Sequence, residues 1–403
     1  MRKYLVLFFL IMFMIGTDTF LISPLLPTLQ TEFGVSTAQA GWMLGAYTLG
    51  SAVFALIAGP LSDGWNRRTV LLCGLLAFSV STALCGFAND FWTMCLFRLL
   101  AGISAAFTAP QVWAAIPAVL PPSRISGAMG VAFGGLAAAQ ALGVPIGSWL
   151  AAVDWPVPFW VVGAASLLLA ALAYVWLPEM KPKDARRGQS AILRRYAPLL
   201  ADRKARTGFL AYLLLHLGSG AALAFAGKWL ADDFALSISQ IGAVMMALGF
   251  GTFAGSLISG FAARKLGNVR AVMGGMTLVL LLYAATPRLT NLTAATALYM
   301  VIFATLGILF PLIMGALTSL NASIRGTISS LANATMNGAN TLGAWLAGLI
   351  YVQLGGYPSI GLFAAACLAL SLLVFRAGGI LGTPAPRGAE QEPRAASLGE
   401  KAN

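Results

Sequence analysis

Apolar runs punctuated by short polar stretches fill most of the chain, at 4–27, 40–61, 69–87, 91–114, 127–150, 158–177, 208–230, 240–262, 269–287, 293–318, 326–351 and 357–376. None alternates with period two, so each predicts an α-helix rather than a barrel strand. Each is long enough to cross a hydrocarbon core of about 30 Å. Helices and closed barrels alone satisfy every backbone N–H and C=O inside lipid. The pattern therefore predicts an all-α membrane protein with twelve transmembrane helices. The start, Met1-Arg-Lys-Tyr followed by apolar residues, imitates a signal peptide. It lacks a small-residue cleavage site and stays apolar through Leu26, so it reads as the first span.

Composition agrees, because 59% of the residues are hydrophobic and only 9% are charged. A soluble domain carries roughly a quarter charged residues. The net charge of +12 would suggest nucleic acid if it were spread over one surface, but its distribution excludes that partner. With the N-terminus inside the cell, 22 of the 25 lysines and arginines fall in segments on the cytoplasmic side. Arg288 and Lys228 lie outside, with Glu32, Asp90, Asp154, Asp232 and Asp233. Such segregation follows the positive-inside rule. The reading is a multi-pass protein of a bacterial inner membrane, a monomer in the lipid bilayer, with both termini cytoplasmic. Cys73, Cys85, Cys95 and Cys367 sit inside apolar runs without metal-type spacing, and read as packing residues with no disulfide.

A polar, basic stretch at 178–207 divides the chain into six-helix halves at 1–177 and 208–377, and reads as a cytoplasmic linker with a surface helix near Ile192–Leu200. Residues 378–403 are rich in Ala, Gly, Pro and charge, the composition of a disordered tail. The halves resemble each other. Ala139-Gln140-Ala141-Leu142-Gly143 matches Ala339-Asn340-Thr341-Leu342-Gly343 at an offset of 200 residues. Gly59 with Arg67 and Arg68 matches Gly260 with Arg264 and Lys265 at nearly the same offset. Two repeats around a midplane site are the architecture of a rocking transporter.

Gly59-Pro-Leu-Ser-Asp63-Gly-Trp-Asn66-Arg67-Arg68 resembles the signature loop of the major facilitator superfamily, Gly-x-Leu-x-Asp-Arg-x-Gly-Arg-Arg. Gly64 departs from that pattern where Arg is usual, and Asn66 where Gly is usual. Arg98-Leu-Leu-Ala-Gly102 is similar to the family's Arg-x-x-x-Gly motif, and Gly143-Val-Pro145-Ile-Gly147 to its antiporter motif, with Val144 inserted before the proline. Asp18 followed by Pro24-Leu-Leu-Pro27 resembles the first-span motif of twelve-helix drug:proton antiporters. The resemblance implies two pseudo-symmetric six-helix bundles. It also implies that Asp63 docks at the start of the eleventh span and closes a cytoplasmic gate, with Arg67 and Arg68 in neighbouring contacts. Gly143, Pro145 and Gly147 would bend the fifth span, limit leakage and bias the direction of transport.

A charge in mid-membrane costs roughly 2.5–3.5 kcal/mol on insertion scales and needs a partner or a wet cavity. Counting about 1.5 Å per residue, Asp18 and Arg98 reach similar depth from opposite faces. They are expected to face each other across a cavity in the N-terminal half. Burial and the guanidinium act on the Asp18 proton in opposite directions, the balance a coupling site needs; a static clasp between the two spans is the other use. His216, the single histidine, reads as a second titrating group, a substrate contact or a satisfied packing residue. Asn333, Asn337 and Asn340, spaced four and three apart, share a helix face. They suit either substrate hydrogen bonding, with Gln140 as the repeat counterpart of Asn340, or an interhelical clamp. Trp42, Tyr47, Phe107, Trp113, Phe225 and Phe310 are candidate aromatic pathway residues.

The resulting expectation is a proton-coupled exporter of small amphipathic or neutral organic molecules that works by alternating access. The proton is its coupling ion, and no metal or other cofactor is expected. An importer or facilitator of a small polar solute such as a sugar or nucleoside fits the same fold, and a lipid flippase is the reading from another class. One histidine, no phosphate-binding glycine loop beside a strand and no paired carboxylates within a span argue against an enzyme.

Overall fold

The computed structural model describes residues 2–62, 65–121, 125–180, 196–197, 199, 201–320 and 325–379. It contains twelve long helices among these residues, named here in chain order. They are α1 (Arg2–Glu32), α2 (Thr37–Ser62), α3 (Arg67–Cys85), α4 (Phe91–Val119), α5, α6 (Val157–Trp176), α7 (Arg203–Phe234), α8 (Ile238–Leu266), α9 (Asn268–Ala285), α10 (Leu292–Ser319), α11 (Arg325–Gln353) and α12 (Tyr357–Gly378). Helix α5 is continuous but not uniform: Ile125–Ala138 is α-helical, Ala139–Gly143 is a π turn, and Val144–Ala151 is α-helical again. Eleven of the twelve are long and apolar enough to cross a membrane. The remaining one, α11, has 29 residues and lies against α2 and α7 within the bundle; its three asparagines lower its hydropathy.

Local chemistry sets the ends. Asp90 caps α4 by accepting from the backbone N–H of Trp92 (2.8 Å) and Thr93 (3.0 Å), while the Thr93 hydroxyl returns to Asp90 O. The donated Thr93 and Trp92 N–H groups hold the Asp90 carboxyl below its ordinary range. Asp202 caps α7 in the same way. That cap starts the seventh helix at Arg203, inside the stretch assigned to the linker. Most of that stretch, and the proposed tail from residue 380 onward, lie outside the described residues.

The repeat seen in the sequence is also a repeat of contacts. In the first half, Gly50 of α2 lets Leu99 O of α4 approach so closely that an added Cβ would lie 2.5 Å away. In the second half, Gly251 of α8 does the same for Met300 O of α10, at 2.6 Å. Both members of the second pair stand 201 residues after those of the first. Without a hydrophobic force between helices in lipid, such small-residue contacts carry the packing.

The halves meet on the face that carries Glu32, Asp90 and Asp154. There Ser23 Oγ of α1 donates to Leu223 O of α7. Gly41 of α2 lies against the Ala344 carbonyl of α11, and Gly242 of α8 lies against Ser148 of α5. Nearer the middle, the hydroxyls of Thr48 and Thr341 are 2.8 Å apart. Toward the opposite face, which bears Arg67, Arg68, Arg203 and Arg264, the contact between α5 and α8 thins out among the described residues. Helix α5 touches α8 through its π turn and last segment, and hardly through Ile125–Ala138.

A Cβ at Gly102 of α4 would collide with the Tyr47 carbonyl of α2, whereas at Gly130 of α5 it would meet nothing within 4 Å. Gly102→Ala is therefore expected to destabilise the protein by about 1–3 kcal/mol, and Gly130→Ala to leave it unchanged or slightly more stable. Thermal unfolding of the two purified variants in detergent checks the difference.

Candidate functional site

The charged centre forms where four helices of the first half converge. Arg98 Nη1 of α4 is 2.9 Å from Asp18 Oδ1 of α1, and neither side chain is exposed. Arg98 Nη2 also donates to Asp18 O at 3.1 Å. The guanidinium lies 4.4 Å above the centre of the Tyr47 ring, from α2, and Cys85 of α3 sits beside it. The Tyr47 and Thr19 hydroxyls are 3.1 Å apart. Asp18 Oδ2 and Arg98 Nε have no hydrogen-bond partner among the described residues. The pair was expected to face across a cavity; instead it is in direct contact and enclosed. Helices α1 and α4 pack closely enough for the arginine to span the gap between them.

Helix α5 borders this centre. Gly143 packs on Thr17, Gly147 on Leu21 and Ala139 on Gly16, all in α1. Its other side meets α8, where Gly249 lies against Gln140 and Ala141. Pro145 follows the π turn. The proline removes one backbone donor, and the π turn accommodates an extra residue, a feature frequent at functional sites.

Other candidates are distributed over both halves. His216 of α7 is 5% exposed. It stacks on Phe310 of α10, with ring centres 4.8 Å apart, and meets Tyr212 edge-on at 4.5 Å. His216 Nε2 has no hydrogen-bond partner among the described residues. On α11, Asn337 Nδ2 donates to both Asn333 O and Asn333 Oδ1, so these two amides are linked to each other. Asn340 turns instead to Gly220 of α7. Phe225 is fully buried near Tyr351, Phe107 lies 6.1 Å from Phe54, and Trp113 stacks on Phe133 at 4.4 Å. The structure thus brings Asp18 and Arg98 together but does not gather the aromatic candidates into one cluster. Trp42 is 38% exposed.

Of the loop motif, Gly59 belongs to α2, while Asp63 lies outside the described residues. Arg67 Nη1 donates to Ala114 O of α4 (2.9 Å), and Arg68 donates to Tyr174 O of α6 with its guanidinium over the Tyr174 ring. Both arginines therefore hold helices of their own half together.

The sequence pattern of the Major Facilitator Superfamily matches residues 8–204 and 208–401. The chain belongs to that superfamily. It is a membrane transporter, as the similarity to an uncharacterized MFS-type transporter of Bacillus subtilis (strain 168), YceJ, also shows: 46% identity over 370 residues, 92% of this chain and 95% of the other. It is 30% identical over 203 residues to Multidrug resistance protein 1 of the same organism, covering 49% of this chain and 50% of that one. The fold is similar to that of a bacterial homolog of the human lysosomal transporter Spinster, solved in an inward-facing and occupied conformation. The TM-score is 0.74 at 18% identity, covering 94% of this chain and 97% of that one. Within this facilitator fold, the Thr48–Thr341 contact and the Cys85 neighbour of Arg98 had no sequence signal of their own. Thr341 does lie inside the repeated five-residue block around Asn340.

A buried ion pair that loses one partner costs about 3–5 kcal/mol, because the other charge is left stranded. Arg98→Gln is expected to lose that much stability, and Asp18→Asn combined with Arg98→Gln to recover most of it. A double-mutant cycle on unfolding in detergent measures the coupling; additive effects would mean that the two side chains do not act as a pair.

Proposed function

We propose that this transporter is a proton-driven exporter of small amphipathic or neutral organic molecules. Asp18 would take up a proton from one side of the membrane and release it to the other, while the substrate leaves through the space between the halves. The observation that carries this reading is the Asp18–Arg98 pair at 0% exposure, with one carboxylate oxygen unpartnered. A buried pair is costly to desolvate, and apolar residues of similar size would hold α1 to α4 at least as well. Ionisable groups inside spans of this kind mark proton or substrate pathways. A neutral Asp18 and an ionised one differ in how tightly they hold Arg98, which gives the proton a mechanical consequence.

The direction rests on charge distribution and on likeness. The face bearing Arg67, Arg68, Arg203 and Arg264 is the cytoplasmic one by the positive-inside rule. The hydroxyl and glycine contacts described between the halves lie toward the other face, and α5 parts from α8 toward this one, an arrangement suited to loading substrate from inside the cell. Export is supported by the similarity to Multidrug resistance protein 1. The bacterial inner membrane is the matching location.

The test is efflux from cells, with a panel of neutral and amphipathic antimicrobials as probes. Cells carrying the protein should tolerate at least one compound better, and a protonophore should remove that tolerance. Asp18→Asn is expected to lower energised efflux at least about tenfold, the loss expected when one essential proton-transfer group is removed, while downhill exchange in reconstituted vesicles persists. Efflux indifferent to both the substitution and the protonophore would exclude proton coupling through this residue. Accumulation of a compound, in place of tolerance, would reverse the direction.

A further inference from the structure

Tyr47 occupies a position between the charged centre and the contact that joins the two halves. Its ring lies 4.4 Å from the Arg98 guanidinium, and its hydroxyl is 3.1 Å from Thr19 Oγ1, next in sequence to Asp18. Its carbonyl is clasped by Gly102, one turn beyond Arg98. The following residue, Thr48, faces the other way: its hydroxyl is 2.8 Å from that of Thr341 in α11. Thr341 also donates to Gly45 O, and the same stretch of α2 packs on α11 through Gly41. One helical turn of α2 thus touches the buried charges on one side and the opposite half of the molecule on the other.

We infer that Tyr47 is the positioning residue through which the charge state of Asp18 is transmitted to the Thr48–Thr341 seam between the halves. This rests on the reading of Asp18 as the proton carrier and assigns the route by which protonation moves the protein. The groups around the guanidinium are few: Asp18 and its carbonyl from α1, Cys85 from α3 and the Tyr47 ring from α2. When Asp18 is neutral, Arg98 keeps its charge and loses its counterion, so its attraction to the face of the Tyr47 ring gains weight. A cation drawn onto that ring shifts the ring and the backbone that Gly102 holds. Thr48 is the adjacent residue on a rigid helix, so it moves with them. The hydroxyl contact with Thr341 is a single neutral pair, weak enough to be remade in another register.

Hydrogen exchange measured by mass spectrometry tests the route without need of a substrate. Segments 41–52 and 337–348 report on the seam, because opening it exposes their amides. Asp18→Asn, which mimics the protonated carboxyl, is expected to change the exchange rate of both segments by about threefold or more, a change that reflects a shifted opening equilibrium. The same response should persist in Tyr47→Phe, which keeps the ring, and vanish in Tyr47→Leu. Tyr47→Met replaces the leucine variant if that protein is not monodisperse. An equal response with and without the aromatic ring would overturn the assignment, as would a seam that ignores Asp18→Asn. Proton coupling is scored separately by protonophore-sensitive efflux, so a failure of that reading leaves a distinct signature.

Discussion

A carboxylate and a guanidinium held 2.9 Å apart without access to water constrain everything built around them. While both are ionised, neither charge in so apolar a setting tolerates separation from the other, and α1 and α4 are held in register. The glycines that let neighbouring backbones approach set how tightly that centre is enclosed. Gly102 brings α2 against α4 beside Arg98, and Gly143 and Gly147 bring α5 against α1 on either side of Asp18 in depth. Close packing and the cost of isolated charge act in one direction here. The first half behaves as one body because loosening it would strand an ion.

Among the described residues, the second half contains no buried counterpart to this pair. His216 is its only titratable imidazole, and it is held between aromatic rings. The two halves share a skeleton, visible in the matched Gly50 and Gly251 contacts, yet divide the chemistry between them. Among the described residues, the fully buried ion pair belongs to the first, while the buried polar groups of the second include amides and aromatic hydroxyls.

Much of the fold was legible in the chain because a bilayer imposes a simple grammar. Runs of apolar residues must be helices, and basic loops must alternate with acidic ones, so helix number and the position of the midpoint follow. The pairing of Asp18 with Arg98 was also legible, since two charges at matched depth in one half have no other partner. What could not be read was direction around each helix axis. Asn333, Asn337 and Asn340 share a stripe, yet two of them bond each other while the third turns to Gly220. A 3.6-residue period places all three on a face, but it does not say which neighbour presses on each turn. The π turn at Ala139–Gly143 was hidden for a related reason. Hydropathy is blind to one extra residue in a turn, and that residue changes the facing of every side chain beyond it. Tyr47 was read as one of several pathway aromatics, because its contact with Arg98 depends on how α2 is rotated against α4.

Helix α11 has a consequence for how the protein is made. One of its three asparagines, Asn340, packs on α7, but together they make it the least apolar of the spans. A segment of that kind partitions poorly into lipid by itself. During synthesis it must linger at the insertion machinery until α10, already threaded, or α12, emerging behind it, offers a shielding surface. The residues that equip the finished transporter with polar groups thereby oblige its last three helices to enter the bilayer as a cohort.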